Sequence, residues 1–371
     1  MLFTIIVFIL VLGILVLVHE LGHFFTARKF GCKVEEFGLG FPPRAKQWTS
    51  KKSGINYSLN WLPIGGFVKI KGEDGENRVD QDSFGAKPAW QRAIILCAGV
   101  TMNLVLAAVL LSIGFGIGLP SALPDDLSEL GNVRVVQEKI QVYRVADGLP
   151  AAAAGLQTGD EIVSLDGQQF SATAAVSDYI ATREGEVVNV ALRRGGEDLA
   201  VSLIPEYYEA VGQSVMGVEL IRTGLVRYPW YLLPWKGVEA TYSLTIAILT
   251  AFYTLLHNLI AGVPVGAEIA GPVGIAALTG QMARLGVSYI LQFVALLSIN
   301  LAIINIVPFP ALDGGRVLFL IIEKIHRRPV SQKLETAIHN AGFALLMLLM
   351  LFVTYRDIAK WGSGLWNKIF G

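Results

Sequence analysis

The sequence predicts a polytopic α-helical membrane protein with four membrane-crossing helices, an inserted α+β domain and a short membrane-associated β region. Two observations carry that prediction. Hydrophobic residues make up 53% of 371 positions while charged ones make up only 16%, and the mean hydropathy is +0.53, too apolar for an ordinary soluble chain of this length. The apolar residues are also gathered into long runs rather than spread evenly, and each run approaches the roughly 20 residues that a spanning helix needs.

The first run, over 1–26, passes through a polar cluster at 19–23 into Phe24 and Phe25. It has no basic segment before it and no small-residue cleavage signature after it, so it reads as a retained helix and not a signal peptide. Further spans are expected over 93–119, over 287–326 as a broken helix, and over 334–357. Lys and Arg crowd the segment from Arg28 to Arg92 and again Lys324 to Lys333, which makes both loops cytoplasmic and leaves the termini and the long central segment outside. A fifth apolar stretch, 243–262, is long enough to cross. One more crossing would put the Lys324–Lys333 loop outside, so this stretch is expected to be interfacial or re-entrant within a 208–286 linker bordered by Pro234, Gly262, Pro264 and Gly266.

Between the first two spans, residues 27–92 alternate apolar and polar at Gly54–Asn60 and Gly66–Lys71, the pattern of two or three short strands. Residues 132–205 have soluble composition, with strand patterns at Val133–Val136, Glu161–Leu165, Val187–Arg193 and Leu199–Leu203 and helix-compatible stretches at Ala151–Ala154 and Thr173–Thr182, which reads as a small α+β domain. Zero formal net charge gives no global field for nucleic acid, and none is expected as a partner. Cys32 and Cys97 stand far apart without C-x-x-C spacing, so neither a disulfide framework nor a thiolate metal site is indicated.

Chemistry concentrates in H-E-L-G-H at 19–23. A spacing of four puts His19 and His23 on one helical face, where two imidazoles can grip one metal, with Glu20 beside them to take a proton from water. The pentapeptide alone is common, but two histidines and a glutamate in an apolar span are costly without partners. A catalytic zinc takes three protein ligands. Asp313, in N-I-V-P-F-P-A-L-D-G-G at 305–315, is the candidate third, because Pro308 and Pro310 break an apolar helix there. A plainer reading makes Asp313 an N-cap of the restarting helix. Depth favours the ligand: His19 lies about 25 Å along the first span, and 305–313 lies about 27–39 Å along the third when both are entered from outside.

A substrate backbone unwound from a helix needs new partners. Strand edges in 54–71, including Gly65 and Gly66, and the backbone freed around Pro308 and Pro310 could provide them. The amides of Asn305 and Asn103 are candidates for holding extended backbone or an oxyanion, with an interhelical hydrogen bond as the alternative for each. His257, His326 and His339 are isolated and read as structural or interfacial.

Taken together, these residues resemble the site-2 proteases, in particular the bacterial regulator-of-sigma-E protease type, over nearly the full length. Carrying the resemblance are His19-Glu20-Leu21-Gly22-His23, Leu312-Asp313-Gly314 within 305–315, Gly99 to Asn103, W-L-P-I-G-G-F-V-K-I-K at 61–71 and G-P-V-G-I-A at 271–276. The resemblance implies a Zn2+ metalloprotease of the bacterial inner membrane, with His19, His23 and Asp313 as ligands and Glu20 as general acid/base. It implies a single-pass membrane protein as substrate, an anti-sigma factor or similar regulator, and one PDZ domain over 127–207 where the best-known sigma-E-type enzymes have two. The lipid bilayer is the other expected partner. Two competing functions remain: a membrane-anchored PDZ binding module without catalysis, and transport through the broken span, for which the sequence lacks an inverted repeat.

Overall fold

The computed structural model describes residues 2–73, 80–209, 211–262, 271–328 and 330–370. Two compact units emerge, one of Met1–Ile113 with Pro234–Gly371 and one of Gly114–Leu233.

Helix α1 (Leu2–Lys29) buries Val11, Leu15, His19, Gly22, His23, Phe24 and Ala27, a seam that advances three or four residues at a time and so occupies one face. The other faces are apolar and uncovered, with Leu10, Ile14 and Phe25 exposed, as befits a helix whose solvent is hydrocarbon. Two strands follow, β1 (Val34–Thr49) and β2 (Asn56–Ile70). They are longer than the short strands expected, and they pair in more than one register: Glu36 lies opposite both Lys69 and Asn56. The bend buries Glu36, whose carboxylate accepts from Ser58 at 2.7 Å and from Arg44 at 3.0 Å. Helix α2 (Ala89–Ile117) crosses α1 where a Cβ on Gly22 would run into the Ala98 carbonyl; His23 meets Ile95 on one side of that crossing and His19 meets Asn103 on the other. Higher numbers on α2 therefore sit beside lower numbers on α1, and the two helices are antiparallel.

The second unit is built on β3 (Leu119–Ala122), β4 (Arg134–Val145), α3 (Pro150–Ala153), β5 (Glu161–Leu165), α4 (Thr173–Ala181), β6 (Val188–Arg194), β7 (Glu197–Leu203), β8 (Glu206–Tyr208), β9 (Gln213–Val215) and β10 (Val218–Arg227). Six of these strands form one sheet in the order β3-β10-β4-β5-β6-β7, and β8 pairs with β9. Val176 and Ile180, one turn apart on α4, close a core with Val142, Leu165, Val188, Val190 and Leu192. The sheet extends past the 127–207 expected from the resemblance, because β3 and β10 lie outside that window, β3 pairing with β10 and β10 with β4.

Five helices complete the first unit: α5 (Leu233–Ile260), α6 (Pro272–Leu285), α7 (Val287–Ile306), α8 (Asp313–His326) and α9 (Gln332–Phe370). The 287–326 stretch divides into α7 and α8, with 307–312 between them. Among the described residues, five helices, α1, α2, α5, α7 and most of α9, are long and apolar enough to cross a membrane, one more than the four expected. The addition is α5, which starts ten residues before the 243–262 stretch taken as interfacial and continues unbroken to Ile260. Only Gly237 and Thr241 of α5 are buried, where Gly237 touches the Ala108 carbonyl and Ser112 of α2. Pro264 and Gly266, taken as its borders, lie outside the described residues. Asp357 of α9 accepts the backbone N–H groups of Gly271 and Gly274 at 3.2 and 2.7 Å, satisfying the open start of α6.

Asp160 is almost fully buried in the second unit, accepting from both nitrogens of Arg194 at 2.7 Å and from the Gln157 N–H at 2.8 Å. Burial pushes its carboxyl up, but the Arg194 guanidinium and the Gln157 N–H outweigh this and hold it below the usual carboxylate range. A folded pKa below the unfolded one stabilises above the unfolded value and is lost as pH falls through the folded one. Asp160→Asn is accordingly expected to destabilise the unit by about 2 kcal/mol at pH 7, with the difference from wild type shrinking below about pH 4. Thermal unfolding followed by circular dichroism at several pH values measures both.

Candidate metal centre

Three acceptor atoms from two distant parts of the chain converge. His19 Nε2 lies 3.1 Å from Asp313 Oδ2, His23 Nε2 lies 3.3 Å from the same oxygen, and the two imidazole nitrogens are 3.3 Å apart. Tetrahedral zinc with ligands near 2.0–2.1 Å would separate them by about 3.3 Å. Asp313 Oδ2 is buried without a well-directed hydrogen bond, so a cation is the partner the triangle calls for. His19, His23 and Asp313 form the sole cluster of this kind among the described residues.

The imidazoles are held so that Nε2 faces the centre. His23 Nδ1 donates to the Ile95 carbonyl at 2.8 Å, which leaves the Nε2 lone pair free. His19 Nδ1 is 3.1 Å from Asn103 Nδ2, and amide orientation is a choice between two superimposable placements. With the amide turned, Asn103 Oδ1, otherwise buried without a partner, accepts from Nδ1–H, and His19 too presents Nε2. Asn103 is fully buried, and its main-chain carbonyl accepts from Ser298 at 2.7 Å. Its amide thus takes the interhelical alternative instead of reaching toward a substrate. Gly99 lies over both rings, and a Cβ there would collide with His23 Nε2 and stand 2.8 Å from His19 Nε2.

Asp313 opens α8 after the break at 307–312. Ala311 adopts a positive φ of 76°, and its N–H donates to His339 Nδ1 at 2.9 Å, so His339 has the structural role expected of it. A Cβ on Gly314 would strike the Ile306 and Val307 carbonyls, and one on Gly315 the Phe309 carbonyl. That close fold-back aims Asp313 at α1. Glu20 shares the neighbourhood, with His23, His19, Asp313 and Arg316 as its charged neighbours. Arg316, one turn beyond Asp313, pairs with Glu73 just after β2.

Of the other positions expected to meet a substrate, Gly66 adjoins Glu20: a Cβ on it would be 3.3 Å from Glu20 Cγ and 2.8 Å from Val16 Cγ1. Gly65 precedes it with a φ of 103°. Pro308 is exposed, and Asn305 and Pro310 are half-buried; the Asn305 amide makes no hydrogen bond among the described residues.

Apolar helices long enough to span, two histidines and a glutamate on one of them, and an aspartate from a broken partner define a multi-pass membrane metallopeptidase. The chain belongs to peptidase family M50: the family model described as Peptidase family M50 matches residues 7–349. It is similar to the Regulator of sigma-W protease RasP of Bacillus subtilis, 30% identical with 96% of this chain and 98% of the relative covered. It is also similar to the Zinc metalloprotease RasP of Geobacillus kaustophilus, 31% identical with the same coverage. A crystallised PDZ domain of an SdrC-like protein from Listeria monocytogenes aligns with 24% of this chain and 92% of its own length, 26% identical, at a TM-score of 0.22, too low to bear on the fold.

Two substitutions separate the supports from the ligands. Asn103→Ala is expected to weaken zinc binding by about 10–100-fold. Gly99→Ala, which crowds both rings, should weaken it at least as much. Competition against a chelator, read by metal analysis of the purified protein, checks both.

Proposed function

We propose that this protein is a zinc-dependent intramembrane endopeptidase that hydrolyses peptide bonds in or near the transmembrane segment of single-pass membrane proteins. His19, His23 and Asp313 are the zinc ligands and Glu20 the general acid/base. The observation that carries this reading is the triangle of acceptor atoms at 3.1–3.3 Å inside an apolar bundle. Zinc held there supplies a Lewis acid that polarises the scissile carbonyl and makes water acidic enough to attack near neutral pH.

Glu20 takes one proton from the attacking water as its oxygen bonds to the carbonyl carbon, and passes it to the amide nitrogen as the carbon–nitrogen bond breaks. The strand Gly66–Ile70 pairs with β1 along one edge, and its start adjoins Glu20. A substrate unwound into an extended strand can add to the other edge and so replace its helical hydrogen bonds, with Gly65 and Gly66 allowing close approach. The Asn305 amide and the carbonyls freed around Pro308 and Pro310 offer further partners. An anti-sigma factor or similar regulator is the proposed substrate class, supported by the resemblance and by the sigma-W regulator among the relatives.

We read four crossings, with the termini and Gly114–Leu233 extracytoplasmic in a bacterial inner membrane and the latter PDZ-like, a sheet capped by α4. Three contacts support this topology. Gly237 at the start of α5 meets Ser112 near the end of α2, Gly280 of α6 meets Thr4 at the start of α1, and Gly271 meets Asp357 of α9. Because α1 and α2 are antiparallel, the first two contacts lie on the same side, so the chain leaving along α5 is back on that side when α6 begins.

Zinc analysis and cleavage of a single-span reporter, measured in one detergent, test the enzyme. Glu20→Gln should keep zinc and lose at least about 100-fold in rate, while Asp313→Ala should lose both. Full activity of Glu20→Gln would falsify its role. For the topology, Lys236→Cys and Arg284→Cys, in a background lacking Cys32 and Cys97, should react with an impermeant maleimide in intact cells, and Lys324→Cys only after permeabilisation. Opposite labelling of the first two would establish a fifth crossing.

A further inference from the structure

A cavity of about 320 Å3 opens where α8 ends and α2 begins. Arg92, Lys324, Arg327 and Arg328 line it together with a single acid, Glu323, and with Leu320 as part of its apolar wall. Arg92 and Glu323 are joined at 2.9 Å and are 19% and 15% exposed, so those two charges cancel. Lys324, Arg327 and Arg328 are exposed and have no acidic partner among the described residues. Three uncompensated positive charges thus share the mouth of one cavity.

The surroundings specify more than an anion. On α8, Ile321 lies one turn before Lys324 and Ile325 is the last residue but one of the helix, just ahead of Arg327 and Arg328, and they are 49% and 71% exposed. On α2, Trp90 and Ile94 form a second exposed apolar pair next to the cavity-lining Ala89. Trp90 stands in the first turn of a helix long enough to span, the level at which tryptophan marks a membrane–water boundary. A free phosphate needs only the cations, whereas an amphiphile uses the cations and the apolar flanks together. Guanidinium groups bind phosphate oxygens in pairs, and the lysine adds a point charge.

We propose that this cavity binds an anionic phospholipid, with its phosphate among Lys324, Arg327 and Arg328 and its acyl chains along Trp90–Ile94 and Ile321–Ile325. Bound lipid fixes the far end of the helix that begins at Asp313 to the bilayer surface.

The test uses the full chain in detergent with fluorescent phosphatidylglycerol or phosphatidylcholine of equal chain length as probe. Wild type should prefer phosphatidylglycerol. At about 1 kcal/mol, or roughly fivefold, per cation near an anionic surface, the combined K324Q/R327Q/R328Q variant should bind it on the order of 100-fold more weakly while keeping its zinc content. K51Q/K52Q, which removes two exposed lysines between β1 and β2, should leave the preference intact. Equal loss in K51Q/K52Q would overturn the site in favour of general charge attraction. Displacement of the probe by millimolar inorganic phosphate would make phosphate alone the ligand, and an undiminished preference in the triple variant would remove the site altogether.

Discussion

Two imidazole nitrogens and a carboxylate oxygen lie within 3.1–3.3 Å of one another, each offering a lone pair to the same point. Without a cation between them such atoms repel, and inside an apolar bundle little water is at hand to screen them. Much of the surrounding fold serves to hold them in that opposition. The buried seam of α1 delivers both histidines to α2, the Ile95 carbonyl and the Asn103 amide fix the ring orientations, and Gly99 leaves the space the rings occupy. The break between α7 and α8 brings the third atom in from the other side.

That break answers a second constraint. Backbone that leaves a helix at membrane depth must find hydrogen bonds in protein, and here His339 takes the Ala311 N–H while Gly314 and Gly315 fold against the carbonyls the loop sets free. Across from that break, the start of the strand Gly66–Ile70 adjoins Glu20, where a Cβ on Gly66 would stand 3.3 Å from Glu20 Cγ. The triangle is consequently set by main-chain contacts on α2 and around the α7–α8 break as much as by the spacing within α1.

The parts legible in the sequence are those with a period or a fixed spacing. H-E-L-G-H places its histidines through the helical repeat alone, and Asp313 stands out because prolines interrupt an apolar run just before it. Strand alternation found β5 at Glu161–Leu165 and β6 within a residue. What escaped are singular contacts: Arg316 with Glu73, Asp357 with the start of α6, and the pairing of β3 with β10 across a hundred residues. None of these leaves a periodic trace. The role of Asn103 was open between two readings because an amide in an apolar helix serves either equally well, and only its distance to His19 separates them. The length of α5 was underestimated because parity argues about sides and says nothing about how far a helix extends.

The second-layer partners of the histidines, a main-chain carbonyl behind His23 and a side-chain amide behind His19, are both uncharged. Many metal sites place a carboxylate there. With neutral groups in that layer, the acids nearest the centre are Asp313 and Glu20, and Arg316 is the cation in the same neighbourhood. A divalent ion held there would on that account draw its compensating charge from acids on α1 and α8 and not from the layer behind the rings.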